Sequence, residues 1–141
     1  MSAEIYYTNR FGHKIVIGEI KKVKVLSTIQ KRENLNDIYR FDEKGPGGGY
    51  HDYVIANAGT SEQILHIKYQ KGPRKDPNAR HGVLDEDLLE IVRDRLTAFQ
   101  SGPYATREGE NALSHVEEAL MWLSKRKEDR YERGVLGTME Q

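Results

Sequence analysis

The sequence contains no cysteine among its 141 residues, which excludes a disulfide framework and a thiolate metal site. It also lacks an excess of either charge, because 22 Lys and Arg side chains balance 22 Asp and Glu side chains. General binders of DNA or RNA normally carry a basic excess. The charge balance therefore argues against a nucleic acid polymer as the partner, although it is compatible with a local basic pocket.

Long apolar runs are missing as well. No stretch approaches the roughly 20 apolar residues that a membrane-spanning helix needs, and the opening segment MSAEIYYTNR lacks the apolar core of a signal peptide. We therefore expect a soluble cytoplasmic protein without a membrane partner. The length suits one domain with its own core. We predict a single domain over residues 1–141, with a β-rich part at 1–72 and a helical hairpin at 85–133.

The first half consists of short strand-like segments separated by turn signals. The predicted strands are 5–7, 14–17, 22–25, 50–56 and 63–69. Turns are expected at 9–12 and 57–61, and Gly72-Pro73 is expected to close the sheet. Residues 29–44 are polar with scattered apolar positions and predict a loop with a short helical or strand piece. The glycine-rich segment 45–49 predicts a turn, because no Walker-type Lys-Ser or Lys-Thr follows it.

The last third of the chain carries two helical patterns around a short break. Asp85 is predicted as the N-cap of the first helix and Thr106 as the N-cap of the second, with Gly102-Pro103 ending the first. The apolar stripes consist of Leu88, Leu89, Ile91, Val92, Leu96 and Phe99 in the first helix, and Leu113, Val116, Leu120 and Leu123 in the second. The predicted fold class is therefore α+β, with an N-terminal antiparallel β-sheet followed by a C-terminal two-helix antiparallel hairpin.

Three side chains of the second helix, His115, Trp122 and Arg126, lie off its apolar stripe. Trp122 and Arg126 are neighbours at i, i+4, and an aromatic ring beside a guanidinium suits a base or ribose next to a phosphate. The simpler interpretation is that Trp122 packs on the sheet or on a second subunit and that Arg126 pairs with Glu118 or Asp129. Aromatic residues at helical spacing usually belong to a core.

Three segments in this order, FQSGPYATRE, HVEEALMWLSKR and EDRYERGVLGT, resemble the hairpin domain of phage anti-Thoeris and anti-CBASS proteins. The resemblance covers about residues 72–138, and the strand-rich front half is more similar to the anti-Thoeris type. It implies a non-enzymatic sponge that binds a cyclic nucleotide immune signal, such as gcADPR or a cyclic di- or trinucleotide, without cleaving it. It also implies a homo-oligomer, either a dimer or a hexamer built from dimers, that acts without a cofactor in the host cytoplasm during phage infection.

The resemblance also assigns residues to a ligand site. Phe99 and Arg126 match positions that line the family's pocket, where a ring can carry a base and a guanidinium can bind a phosphate. The remaining candidates are Arg107, Gly109 and Asn111 at the start of the second helix, where free amides favour an anion, together with Trp122, Arg74, Arg130 and Arg133. The chain departs from the family at Gly109, near which an Asn is frequent, and at Leu136, which stands where an acid is frequent.

Catalytic and metal-binding patterns are scarce. The five histidines form no HExxH motif and no closely spaced pair, and Ser114-His115 lacks a nucleophile elbow. We therefore predict no catalytic residue and no metal site. Two alternatives stay open, namely an enzyme that degrades the same signal and a structural phage protein that uses the hairpin only for assembly.

Overall fold

The structure is a computed structural model, and it describes residues 4–19, 24–30, 32, 34–138 and 140. The chain forms two compact units, residues 1–71 and residues 72–141. The predicted grouping of both parts into one domain stays a prediction. The antiparallel strands of the first unit and the two helices of the second confirm the α+β class.

The described residues of the first unit form six strands. They are β1 (Glu4–Thr8), β2 (Lys14–Glu19), β3 (Lys24–Val25), β4 (Asn36–Arg40), β5 (Asp52–Asn57) and β6 (Gln63–Lys68). Strands β1 and β2 pair with each other, and the other four form an antiparallel sheet in the order β3-β4-β5-β6. A single parallel bridge between Tyr6 and Glu62 places β1 beside the start of β6. Of the predicted strand 22–25, residues 22 and 23 lie outside the described residues.

A small apolar core holds this unit together. Ile5, Tyr39, Val54 and Ala56 are buried, and Phe41 packs against them. The segment 29–44, which the sequence left open, supplies strand β4 and with it the buried Tyr39. Burial raises the pKa of the Tyr39 phenol, and the nearby negative charge of Asp37 raises it further.

The predicted turns of this unit are present. Asn57 accepts a backbone hydrogen bond from Ser61 at 2.8 Å between β5 and β6. The glycine-rich segment forms a short 3₁₀ turn, Pro46–Gly48, closed by a 2.8 Å bond from Gly45 N to Gly49 O. Gly47 and Gly48 have φ angles of 75° and 82°, a region that residues with a Cβ rarely adopt. The segment therefore acts as a connection between β4 and β5.

The second unit is a helical hairpin, α1 (Asp85–Gln100) and α2 (Arg107–Glu132). The prediction that Asp85 caps α1 is wrong, because Leu84 occupies the N-cap position and Asp85 is the first helical residue. The Leu84 amide donates instead to the carboxylate of Asp87 at 2.8 Å. Three acids in the first turn still suit the positive end of the helix dipole.

Candidate ligand-binding site

Side-chain bonds across the hairpin fix which residues of α1 and α2 lie side by side. Gln100 holds both backbone groups of Thr106, with its amide nitrogen 2.8 Å from Thr106 O and its oxygen 3.1 Å from Thr106 N. Further along, Arg93 Nε lies 3.0 Å from Glu117 Oε2. At the far end, Lys127 Nζ lies 3.0 Å from Glu86 Oε2. The two helices therefore run antiparallel, and any residue of α1 can be placed level with a residue of α2.

The ion pair in the middle of the hairpin also affects the pKa of its arginine. Arg93 binds Glu117 and, at 3.4 Å, Glu90. The hydrogen bond to Glu117, followed by the one to Glu90, raises the pKa of Arg93 above its ordinary value. This guanidinium is therefore committed to holding the helices together.

The start of α2 confirms the predicted cap and changes the expected anion site. Thr106 Oγ1 accepts a hydrogen bond from the Gly109 amide at 2.9 Å, so the Gly109 amide is engaged by the cap. In the described part of the chain, the amides of Arg107 and Glu108 make no such bond and are the ones left for a ligand. Asn111, one turn further on, is exposed.

Close packing explains why a residue without a Cβ suits position 109. A Cβ at this position would lie 2.5 Å from the Gln100 oxygen and 3.0 Å from Thr106 Oγ1, closer than normal contacts allow. The Gln100 clamp therefore uses the space that a larger side chain would occupy. The sequence analysis did not single out Gln100, although its place between Phe99 and the Gly-Pro break was visible.

Phe99 lies on α1 next to this clamp. The side chain was predicted as part of the α1 stripe and as a ligand platform, and 45% of it is exposed. The guanidinium carbon of Arg95 lies 5.5 Å from the centroid of its ring. In contrast, Leu88, Leu89 and Leu96 are partly buried. Phe99 therefore presents aromatic surface at the loop end of the hairpin.

Trp122 and Arg126 both lie on the exposed face of α2, as their off-stripe positions predict. Trp122 is 64% exposed in the single chain, and its packing on a second subunit stays a prediction. Neither acid proposed as a partner for Arg126 is bound to it, because Asp129 contacts Lys125 at 3.8 Å and Glu118 contacts His115 at 3.7 Å. The guanidinium is thus available on the helix surface.

A shallow open groove follows the same face of α2. Its volume is about 500 Å³. It is lined by Ser114, Glu118, Met121, Trp122 and Lys125. Met121 and Trp122 are both about two-thirds exposed there, which is unusual for large apolar neighbours on one helix.

The chain end after α2 folds into a turn that engages Arg130. The Arg130 guanidinium donates to the carbonyl oxygens of Val135 at 3.1 Å and Thr138 at 3.0 Å. This turn also contacts the 73–79 loop, because Lys75 N donates a hydrogen bond to Gly137 O at 3.2 Å. Arg74 precedes that contact and is exposed, as is Arg133 at the C-cap of α2. Arg130 thus has backbone partners, whereas Arg74 and Arg133 lie at the surface.

The candidate residues fall into separate groups along the hairpin. Phe99 lies near Arg107, Gly109 and Asn111 at the loop end, while Arg126 lies towards the end held by Lys127 and Glu86. With a rise of about 1.5 Å per residue, Phe99 and Arg126 are about 20 Å apart along the axis. One chain therefore does not bring together the two residues that the sequence assigns to one pocket. Their roles in a ligand site stay predictions.

The described residues contain neither a cluster of metal ligands nor a membrane-spanning helix. No group of three or more metal-ligating side chains lies close enough together there to hold an ion. Neither described helix has an apolar stretch long enough to cross a membrane.

Comparison with known proteins covers β6, the connecting loop and most of the hairpin. Residues 61–128 match the family described as "Acb2/Tad1, hairpin domain". This segment is similar to the Acb2/Tad1 hairpin domain. The match confirms the resemblance to the anti-Thoeris and anti-CBASS family over this segment, which includes Phe99, Gln100, Thr106 and Arg126.

A curated phage protein is similar to part of this chain. The chain is 44% identical over 78 residues to "Thoeris anti-defense 1" of Bacillus phage SBSphiJ7. The aligned segment covers 55% of this chain and 54% of the relative, so the chain spans about half the length of the curated relative it matches.

Proposed function

We propose that this protein is a phage anti-defence sponge, which binds a cyclic nucleotide immune signal and holds it without cleaving it. The observation that carries the proposal is the Acb2/Tad1 hairpin domain at residues 61–128, together with the 44% identity to a phage protein named for Thoeris anti-defence. The ligand class is a cyclic ADP-ribose isomer such as gcADPR, or a cyclic di- or trinucleotide. Such molecules combine purine, ribose and phosphate, and a ring, a guanidinium and helix-start amides match them.

The site we propose is shared between copies of the chain. Phe99 and the free amides of Arg107 and Glu108 lie at one end of the hairpin, and Arg126 lies towards the other. A single ligand of nucleotide size does not reach both within one chain. A second copy that runs in the opposite direction places its Arg126 closer to the first copy's Phe99, so a homo-oligomer explains why both residues serve one site.

The exposed face of α2 supports this arrangement. A two-fold axis next to Met121 and Trp122 would cover the two large apolar side chains that a lone chain leaves exposed. It would also set Glu118 of one copy against Lys125 of the other, because the two residues lie on either side of that point in the same groove. The face is thus self-complementary in charge and in apolar surface. Measured along the helix direction, this arrangement reduces the distance from Phe99 to the partner's Arg126 to about 10 Å.

The test is the fate of the ligand. The protein is incubated with gcADPR and with a panel of cyclic oligonucleotides, separated from free ligand by gel filtration, and then denatured by heat. A sponge releases the same molecule that it bound, in amounts that follow the protein. An enzyme that degrades the signal returns a product instead, and this outcome would replace the proposed function with the enzymatic alternative.

A parallel measurement separates the sponge from a protein that serves only assembly. A ligand present at 100 times its dissociation constant stabilises the protein that binds it by about 2.7 kcal/mol. The melting temperature should therefore rise with the true signal and stay constant with the others. No shift with any member of the panel contradicts a sponge for these ligands.

A further inference from the structure

The neighbour of Phe99 on the exposed face of α1 is the guanidinium of Arg95. Arg95 lies one helical turn before Phe99, and its guanidinium carbon is 5.5 Å from the ring centroid. Both side chains are exposed. Arginine over an aromatic ring keeps its donors free at the edges of its plane, so this contact orients the charge without consuming its hydrogen bonds.

Among the described residues, no carboxylate forms an ion pair with Arg95. Among the described residues, its guanidinium forms no hydrogen bond or ion pair, whereas Arg93 two residues earlier is held by Glu90 and Glu117. The positions one turn away from Arg95 are occupied by Ile91, Val92, Ala98 and Phe99, which offer no carboxylate. The positive charge of Arg95 therefore faces solvent beside an aromatic platform.

We propose that Arg95 is a phosphate-binding residue of the ligand site, acting together with the ring of Phe99. The inference rests on the proposed function and names a further contact within it, for a ligand that carries a purine and a phosphate. The purine stacks on Phe99 in the place that the guanidinium occupies in the free protein. The guanidinium then turns outward by one side-chain rotation and donates two parallel hydrogen bonds to a phosphate.

This arrangement has a consequence for the free protein. The contact with Phe99 holds Arg95 near the site before the ligand arrives, so fewer side-chain rotamers are lost on binding. Lysine would keep the charge but not the flat surface that lies on the ring. Arg95 therefore contributes through both its charge and its shape, and the two contributions can be separated by substitution.

The experiment measures by calorimetry how three variants and one control variant bind each cyclic nucleotide that the parent protein binds, at low and at high salt. Arg95→Ala should weaken binding about tenfold or more, because a charge-assisted hydrogen bond pair is lost. It should also reduce the dependence of the affinity on salt, since one screened charge contact has gone. Phe99→Leu should weaken binding and leave the salt dependence as in the parent. Arg95→Lys should keep the salt dependence and lose part of the affinity.

The matched control is Arg10→Ala in the first unit. Arg10 lies over the exposed ring of Phe11 with 4.8 Å between its guanidinium carbon and the ring centroid, so it is the same kind of pair in a different place. This variant should bind like the parent. Melting temperatures of all variants check that each one is folded, and exposed Arg95 should change little there.

Two failures are distinguishable. If the parent binds a cyclic nucleotide and Arg95→Ala binds it within about twofold at both salt concentrations, then Arg95 does not contact the phosphate and only this inference is overturned. If the parent binds no cyclic nucleotide at all, the proposed function is overturned and the role of Arg95 with it.

Discussion

Gln100 and Thr106 are joined by two hydrogen bonds that close the break between α1 and α2, at 2.8 and 3.1 Å. Removing them by Gln100→Ala should lower the free energy of unfolding by about 1–2 kcal/mol. Thr106 N then loses its partner, and Thr106 O keeps only the bond from the Glu110 amide at 3.0 Å. Chemical denaturation of the parent and the variant measures this difference.

The same clamp makes a second prediction about Gly109. Alanine normally stabilises a helix by up to about 1 kcal/mol relative to glycine. In the parent this gain should be absent, because the new Cβ lies 2.5 Å from the Gln100 oxygen. In the Gln100→Ala background the gain should appear. An equal effect of Gly109→Ala in both backgrounds would contradict the close packing of Gln100 on Gly109.

The groove face of α2 predicts how charge reversal affects assembly. Glu118→Lys should weaken self-association, because a two-fold axis near Met121 and Trp122 then brings like charges together. The double variant Glu118→Lys/Lys125→Glu should restore it, since the opposite charges face each other again. Light scattering coupled to size exclusion gives the mass of each. If Glu118→Lys keeps the parent's mass at every concentration, this face is not the interface.

Tyr39 predicts a loss of stability in alkaline solution. Its pKa is raised in the folded chain, mainly by burial, so below about pH 10 both states keep the phenol proton and no stability is lost. Above that pH the unfolded chain releases the proton first, and unfolding becomes more favourable. Tyr39→Phe should therefore show a smaller fall in melting temperature between mildly and strongly alkaline buffer.

The control for this prediction is Tyr104→Phe, which removes the hydroxyl of a tyrosine that is 78% exposed. It should follow the parent over the whole range. A fall in melting temperature for Tyr39→Phe as large as the parent's would show that another group causes the alkaline loss.

The sequence was informative wherever a local pattern determines a local structure. The strand-like segment 50–56, bounded by turn signals, predicted β5, and Thr106 was correctly identified as the cap of α2 because its hydroxyl satisfies a helix-start amide. At α1 the same reasoning placed the cap one residue too late. A carboxylate at Asp87 binds the Leu84 amide from inside the first turn, and sequence preference for acids does not distinguish these positions.

Features that depend on distant parts of the chain were harder to predict. Strand β4 is polar apart from a few residues, and it exists because Tyr39 packs on Val54 and Ile5 in the core. Val92 was assigned to the stripe of α1 but is 42% exposed. The separation of Phe99 from Arg126 follows from the register of the two helices, which only the cross-hairpin contacts reveal.

The most direct test of the account mixes two inactive variants. Phe99→Ala and Arg126→Ala each remove one side of the proposed site, and each alone should bind the signal about ten- to a hundredfold more weakly. Denatured together and refolded, they should form mixed oligomers in which Phe99 of one copy meets Arg126 of another, which restores parent-like affinity in about a quarter of the sites for paired copies. Calorimetry gives the number and affinity of these sites, and Lys24→Ala serves as a control that loses one exposed positive charge elsewhere. A mixture that binds no better than its components would contradict a ligand site shared between copies of this chain.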